Sequence, residues 1–228
     1  MIDAMSDHIR FAVLAADTAL FTVRDRMLYT RLIRVTRPPH FPNGKGLPGG
    51  LLNPEETAEA SATRHLSEKA RIDEGKVYSE QLYTFSAVDR DPRGRVVAVA
   101  YLALVPWAEL SSEEQSDSEE AYWCRVDLAR GLAYDHDEVL KLALTRLKSR
   151  VTYTTLIGKL MPSEFTLTEL EQSYEAILGT GLDKRNFRKK ILKLGFLKEL
   201  AKKRTGGRFR PAKLYRFASP AIKDIEVI

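Results

Sequence analysis

The sequence predicts an α+β fold in two parts: a β-rich sandwich over residues 1–137, and a helical unit closed by a β-hairpin over 138–228. Three observations predict it. The front half alternates short β-branched and aromatic runs with turn residues and holds one principal helix. After residue 135 the periodicity becomes helical, and each helix has its own start and stop signals. The charge changes at the same place. Residues 138–228 carry 20 Lys+Arg against 9 Asp+Glu, whereas residues 1–137 carry 16 against 22. The net +5 of the 228-residue chain therefore hides a basic C-terminal part behind an acidic front, and a basic module of this kind suits a polyanionic partner.

The elements follow in order. Residues 9–23, "IRFAVLAADTALFTV", and 26–35, "RMLYTRLIRV", read as two strands turning at Arg24–Asp25–Arg26. "TRPPHFPNGKGLPGG" reads as a Pro/Gly loop. A helix then runs to about residue 70, with Asn53 as N-cap, Pro54 at its first position and Glu56 at N3. Ala58, Ala62, Leu66 and Ala70 give it an inward stripe. Strands at 80–88 and 96–105 form a hairpin through "DRDPRGR". The acidic stretch 111–120, "SSEEQSDSEE", reads as a solvated, mobile loop, and "AYWCRV" as the last strand of this half.

The second half opens with a helix capped by Asp135, with Glu138 at N3. The next is capped by Thr166 with Glu169 at N3 and ends at Gly179. The third runs from Asp183 to Gly195. "FLKEL" and "KLYRF" then flank the loop "AKKRTGGRFRPA" as a hairpin.

Several classes are excluded. No run of 18 apolar residues exists to span a membrane, and "MIDAMSDHIR" lacks the pattern of a secretory signal. One cysteine, Cys124, cannot form an intrachain disulfide, and it reads as a small core residue. The expected location is a reducing cytoplasm.

Helices followed by a basic hairpin are the order of a winged helix-turn-helix, whose last helix enters the major groove of double-stranded DNA. That helix carries Lys184, Arg185, Arg188, Lys189, Lys190 and Lys193, and Asn186 is suited to pairing with an adenine edge. Phe187, Ile191, Leu192 and Leu194 form its apolar side. The hairpin adds Lys202, Lys203, Arg204, Arg208 and Arg210, with Gly206–Gly207 letting backbone approach phosphates.

In the front half, "GGLLNPEETAEASATRHLSEKARI", preceded by "GLPGG", resembles the Nudix signature. Gly50, Glu56, Arg64, Leu66, Glu68 and Ile72 fall on its skeleton. The departures fall on its chemistry: His65 and Lys69 replace two glutamates, and Arg71 replaces a glycine. In that family the glutamates hold Mg²⁺ against a diphosphate, and an imidazole and an ammonium are poor replacements for hard oxygen ligands. The alternative for Arg64 and Glu68 is a structural i,i+4 ion pair.

With both halves taken together, the chain from about residue 8 to 217 resembles the NrtR family of Nudix-related repressors of NAD metabolism. "YTTLIGKLMPSEFTLTELEQSYEAILG", "LDKRNFRKKIL" and "GRFRPAKLYRF" are its most specific segments. The resemblance implies a Nudix-like α/β/α sandwich followed by a C-terminal winged helix-turn-helix. It further implies a homodimer that binds operator DNA, with ADP-ribose as effector and neither a required cofactor nor a catalytic or metal site. The expected ligand contacts are Arg37, Lys45, Gly49, Gly50, Arg64 and Glu68, of which Arg37 and Lys45 come from loop position and charge. The expected DNA contacts are Lys184, Arg185, Asn186, Arg188, Lys189, Arg204, Arg208 and Arg210. Two alternatives stay open. One is a working hydrolase with Glu56, Glu68 and His65 around a softer metal such as Mn²⁺ and an accessory nucleic-acid-binding tail. The other is a repressor of the same architecture that senses a sugar phosphate.

Overall fold

The computed structural model describes residues 11–204 and 211–225. A seven-stranded sheet forms its centre. Strands β1 (Val13–Arg24) and β2 (Met27–Arg37) pair antiparallel around Asp25 and Arg26. Both turn residues have positive φ, 49° and 65°, as a two-residue hairpin turn that follows the sheet twist requires.

The segment expected as a Pro/Gly loop instead supplies two strands. β3 (Phe41–Gly46) pairs with β2, and β4 (Gly49–Leu51) pairs with the first part of β1. Backbone beside a buried strand must satisfy its own N–H and C=O groups, and pairing is how this segment does so. β5 (Tyr78–Phe85) and β6 (Val96–Leu104) form the expected hairpin, and β6 also runs parallel to β1. β7 (Ala121–Arg125) closes on β2.

Helix α1 (Ala58–Ala70) starts later than its sequence suggests. Thr57 is the N-cap, accepting from the Ala60 N–H. Asn53 and Glu56 form a separate turn before it, in which the Asn53 N–H donates to Glu56 Oε1 at 2.7 Å. Ala62, Leu66 and Ala70 are buried as expected.

The acidic stretch is not simply a solvated loop. Ser111 and Glu114 form a capping box on a one-turn helix, α2 (Ser112–Gln115). Glu114 is buried, accepting from the Asp73 N–H at 2.8 Å and from Lys76 Nζ at 2.7 Å. An acid-rich composition signals solvent, but this one carboxylate has a backbone and an ammonium to satisfy.

Helices α3 (His136–Tyr153), α4 (Leu167–Leu178) and α5 (Lys184–Lys193) lead to the hairpin β8 (Leu197–Arg204) and β9 (Ala212–Phe217). The α4 capping box of Thr166 and Glu169 and its stop at Gly179, with φ of 74°, are as expected. Asp135 holds the N-cap position of α3 but makes no capping hydrogen bond, because Arg90 takes its carboxylate.

The two sheet faces alternate along the strands. Leu20, Ile33, Val35 and Ala103 pack with Leu66 and Ala70 of α1. Phe21, Leu32, Leu102 and Leu104 face the other way and share one cluster with Val139, Leu147, Leu170, Tyr174 and Phe187. The second helical layer of the α/β/α sandwich is thus built from α3 and α4, which belong to the C-terminal half. The expected 137/138 boundary falls inside α3. No helix among the described residues is long and apolar enough to cross a membrane.

Candidate functional site

A cleft of about 350 Å³ opens between β1, β2, β4, α1 and the segment joining β5 to β6. Gly49 and Gly50 form one lip. A Cβ on Gly49 would lie 2.6 Å from the Ala16 carbonyl, and one on Gly50 would lie 2.7 Å from both His65 Nε2 and Lys69 Nζ. Only glycine lets this backbone pass so close to α1 and β1.

Of the expected ligand residues, Arg37, Gly49 and Gly50 line the cleft. Lys45 lies on β3, paired with Arg34, and is not among its lining residues. Arg64 and Glu68 stand beside the cleft, occupied with each other and with the loop before α1. Arg64 donates to Glu56 at 2.5 and 2.9 Å, to Glu68 at 3.2 Å and to the Leu51 carbonyl at 3.3 Å. This guanidinium holds the Glu56 carboxyl down at about 2. It also draws Glu56, Glu68 and the β4 backbone together, as an arginine fork can.

Lys69 enters the cleft and donates to the Gly49 carbonyl at 2.6 Å. Burial, with Arg37 and Arg64 nearby, lowers its pKa. His65 is buried against the Leu51 carbonyl, and burial, Lys69 and Arg64 lower its pKa and favour the neutral ring. Mg²⁺ does not fit this set. Among the described residues no group of three or more His, Cys, Asp or Glu is arranged to hold a metal. An imidazole, His65, and an ammonium, Lys69, stand where further carboxylates would be needed. Arg71, at the glycine position of the signature, ends α1 with left-handed backbone at φ 56° and ψ 45°.

The sequence did not single out the far wall of the cleft. Asp17, Arg90, Arg93, Tyr134 and His136 line it. Asp17 is buried, with Oδ2 3.2 Å from Arg90 Nη2 and Oδ1 3.5 Å from His136 Nε2. Burial pushes its carboxyl up, but His136 and Arg90 outweigh burial and leave it below its ordinary value. Two signals were available: a lone acid in the apolar run of β1, and three arginines in "DRDPRGR".

In the second half, Phe187 and Ile191 anchor α5, with Phe187 against Tyr174 at 5.3 Å between ring centroids. Lys184, Arg185, Asn186, Arg188 and Lys189 are exposed on it, and so is Leu192, which departs from the expected apolar side. The helix start is capped by Asp183 through the Asn186 N–H at 2.8 Å. Acidic residues of α4 and its approach brace the cations. Glu171, almost fully buried, lies 3.8 Å from Lys184 and 3.9 Å from Arg188. Glu164 holds Lys202, and Glu169 holds Arg204. The hairpin is anchored by Phe165, whose backbone pairs with Tyr215 in both directions. Arg208, Arg210 and the Gly206–Gly207 pair lie outside the described residues.

Fold and site together define a protein of two joined parts, a Nudix-type sandwich whose cleft carries cations in place of metal-binding acids, and a winged helix with an exposed basic helix. Family models agree: one described as "NUDIX domain" matches residues 13–143, and one described as "NrtR DNA-binding winged helix domain" matches residues 157–217. The chain is 38% identical over 210 residues to the "ADPR responsive transcriptional repressor NtrR" of Acinetobacter baylyi, covering 90% of this chain and 82% of that protein. The crystal structure of Shewanella oneidensis NrtR with a 27mer DNA matches with a TM-score of 0.77 and 33% identity, covering 90% of this chain and 93% of that one. The Nudix domain of the same Shewanella protein, in complex with ADP-ribose, matches at 31% identity and a TM-score of 0.53, over 61% of this chain and 90% of that one. The chain belongs to the NrtR family.

Proposed function

We propose that this protein is a transcriptional repressor of NAD biosynthesis or salvage genes that responds to ADP-ribose. Its Nudix cleft binds the effector without hydrolysing it, and its winged helix binds operator DNA as one half of a homodimer. One observation carries the reading: a cleft whose acidic turn has become cationic is joined through a shared core to an exposed basic helix. The Acinetobacter relative, named for its response to ADPR, and the Shewanella structures with DNA and with ADP-ribose support it.

In this reading Arg37 and Lys69 offer positive charge to a diphosphate, where the family's enzymes use a metal. Gly49 and Gly50 leave room for it. Arg64 and Glu68 act on the ligand through the β4 backbone they hold. Lys184, Arg185, Asn186, Arg188 and Lys189 enter the major groove, and Arg204, Arg208 and Arg210 are assigned to DNA contact as well. Two recognition helices of a dimer would sit about 34 Å apart to meet successive major grooves.

The test uses the full chain. An operator is selected from random duplexes, and its affinity is measured with and without ADP-ribose. ADP-ribose is expected to weaken operator binding by about 5–150-fold, the usual range for coupled sites. A response to a pentose phosphate but not to ADP-ribose would move the effector to the sugar class. Incubation with ADP-ribose and Mg²⁺ is expected to release no AMP. Steady AMP release that is lost in Glu68→Gln would restore the hydrolase reading.

A further inference from the structure

The far wall of the cleft is the start of the helix that leads to the winged helix. His136, the first residue of α3, accepts from the Leu47 N–H at 2.9 Å through Nδ1 and faces Asp17 with Nε2. The Ala133 N–H donates to the Lys45 carbonyl at 2.7 Å. The N-terminus of α3 is thereby fastened to the strands that form the cleft.

Asp135 is the unusual member. An aspartate at an N-cap ordinarily accepts from the first free N–H groups of its helix. Here it caps nothing. Both its oxygens accept from Arg90, at 2.6 Å from Nη2 and 2.8 Å from Nε. Arg90 is itself buried, lines the cleft and shares the same Nη2 with Asp17. One cleft guanidinium is thus divided between two carboxylates, one of which belongs to the helix start. Asp135 does not line the cleft.

At its other end, α3 touches both halves. Leu147 and Val151 are buried in the cluster that holds Leu156, Tyr174 and Phe187 together with Leu102 and Leu104 of the sheet, and Arg150 pairs with Glu80 on β5. A helix of 18 residues is about 27 Å long and moves as a rod.

We propose that Arg90 and Asp135 are the latch that couples the cleft to the winged helix, a proposal that rests on the effector reading above. A phosphate-bearing ligand in the cleft offers Arg90 a third anionic acceptor. Arg90 turns to the phosphate, and Asp135 is released to cap α3. The first turn of α3 then changes its seat on the sheet, and the rod carries the change to α4 and α5. The ligand shifts the equilibrium because the released state, and not the latched one, gives it Arg90.

Asp135→Ser tests this, because serine is a competent N-cap and cannot make the two-oxygen ion pair with a guanidinium. Asp135→Asn keeps the shape and removes the charge. Full-length variants are checked by thermal melting, then titrated with ADP-ribose by calorimetry and with operator in the absence and presence of saturating ADP-ribose. Without the latch, ADP-ribose should bind more tightly and operator more weakly than in the wild type. The effect of ligand on operator affinity should shrink from the wild-type range of about 5–150-fold to less than about twofold. A merely structural role would not trade one affinity against the other in this way. Unchanged coupling in both folded variants overturns the latch while leaving the effector reading standing. Loss of ADP-ribose binding in both also overturns it, by making Asp135 a ligand residue. A wild-type protein that binds operator but ignores ADP-ribose removes the effector reading, and the latch with it.

Discussion

Arg71 is where the residue scale is most informative. It carries a left-handed backbone at the end of α1, at the glycine of the family signature. A non-glycine residue there is disfavoured by roughly 1–2 kcal/mol. Its ion pair with Glu120 joins two exposed side chains, and such pairs contribute about 0–1 kcal/mol. Backbone strain outweighs the pair, so Arg71→Gly should stabilise the protein by about 0.5–1 kcal/mol, read as a rise in Tm. A fall in Tm would show that the Glu120 contact matters more than the backbone. Acid stability draws on several carboxylates held below their ordinary range, Glu56 and Glu114 among them. Arg64 holds Glu56 at about 2, against an ordinary 4.5. Burial pushes Glu114 up, but Lys76 and the Asp73 and Ser111 N–H groups bring it down to about 2. The unfolded chain takes up these protons first as pH falls. Their stabilisation is therefore complete above about pH 4.5 and lost on the way to pH 2. Glu114→Gln should flatten the fall of Tm across that window, and an equally steep fall in the variant would refute the assignment. Gly50, Glu56, Arg64 and Lys69 were legible because their spacing is local, within one loop and one helix. Asp17, Arg90 and His136 were not, because they converge from β1, a hairpin loop and the start of α3, and no short window of sequence holds them together.

At the scale of elements, the caps decided what could be read. Thr166–Glu169 and Gly179 bounded α4 because both signals act within the helix itself. Asn53 misled because its bond with Glu56 closes a separate turn before the helix, and Asp135 because its carboxylate goes to Arg90, a distant partner. β3 and β4 were hidden for a related reason: Pro and Gly argue for a loop, while pairing to β1 and β2 is decided by distant strands. The buried positions of α5 followed from Phe187 and Ile191 at helical spacing. That geometry divides its exposed residues from those of the wing. Arg185→Ala or Asn186→Ala should weaken operator binding by about 1–3 kcal/mol and relax the preference at one base position. Arg208→Ala or Arg210→Ala, between β8 and β9 in the sequence, should weaken binding to operator and scrambled DNA alike. It should also flatten the salt dependence by about 0.9 per lost phosphate contact, or twice that in a dimer. Titrations at several salt concentrations separate the two classes. A wing variant that lost only operator binding would make that arginine a base reader.

At the scale of the whole molecule, the two halves share a core. The charge split and the change of periodicity in the sequence marked two parts, but the apolar residues that join them give no local sign of which layer they cover. Phe21, Leu32, Leu102 and Leu104 of the sheet are covered by α3 and α4. A fragment ending at residue 137 would leave Val139, Leu140, Ala143 and Leu147 off that face. It should aggregate or melt well below a fragment ending at Tyr153, as measured by size-exclusion chromatography and thermal melting. Equal behaviour of the two fragments would show that α3 is dispensable to the sheet. The same arrangement sets the order of events on the ribosome. The sheet face is complete in the nascent chain once β7 has emerged, but its cover arrives only with α3 and α4. At about 5–20 residues per second the face waits for several seconds in apolar form. During that interval the sandwich is a natural client for a chaperone, and slow codons between β7 and α4 would lengthen its exposure.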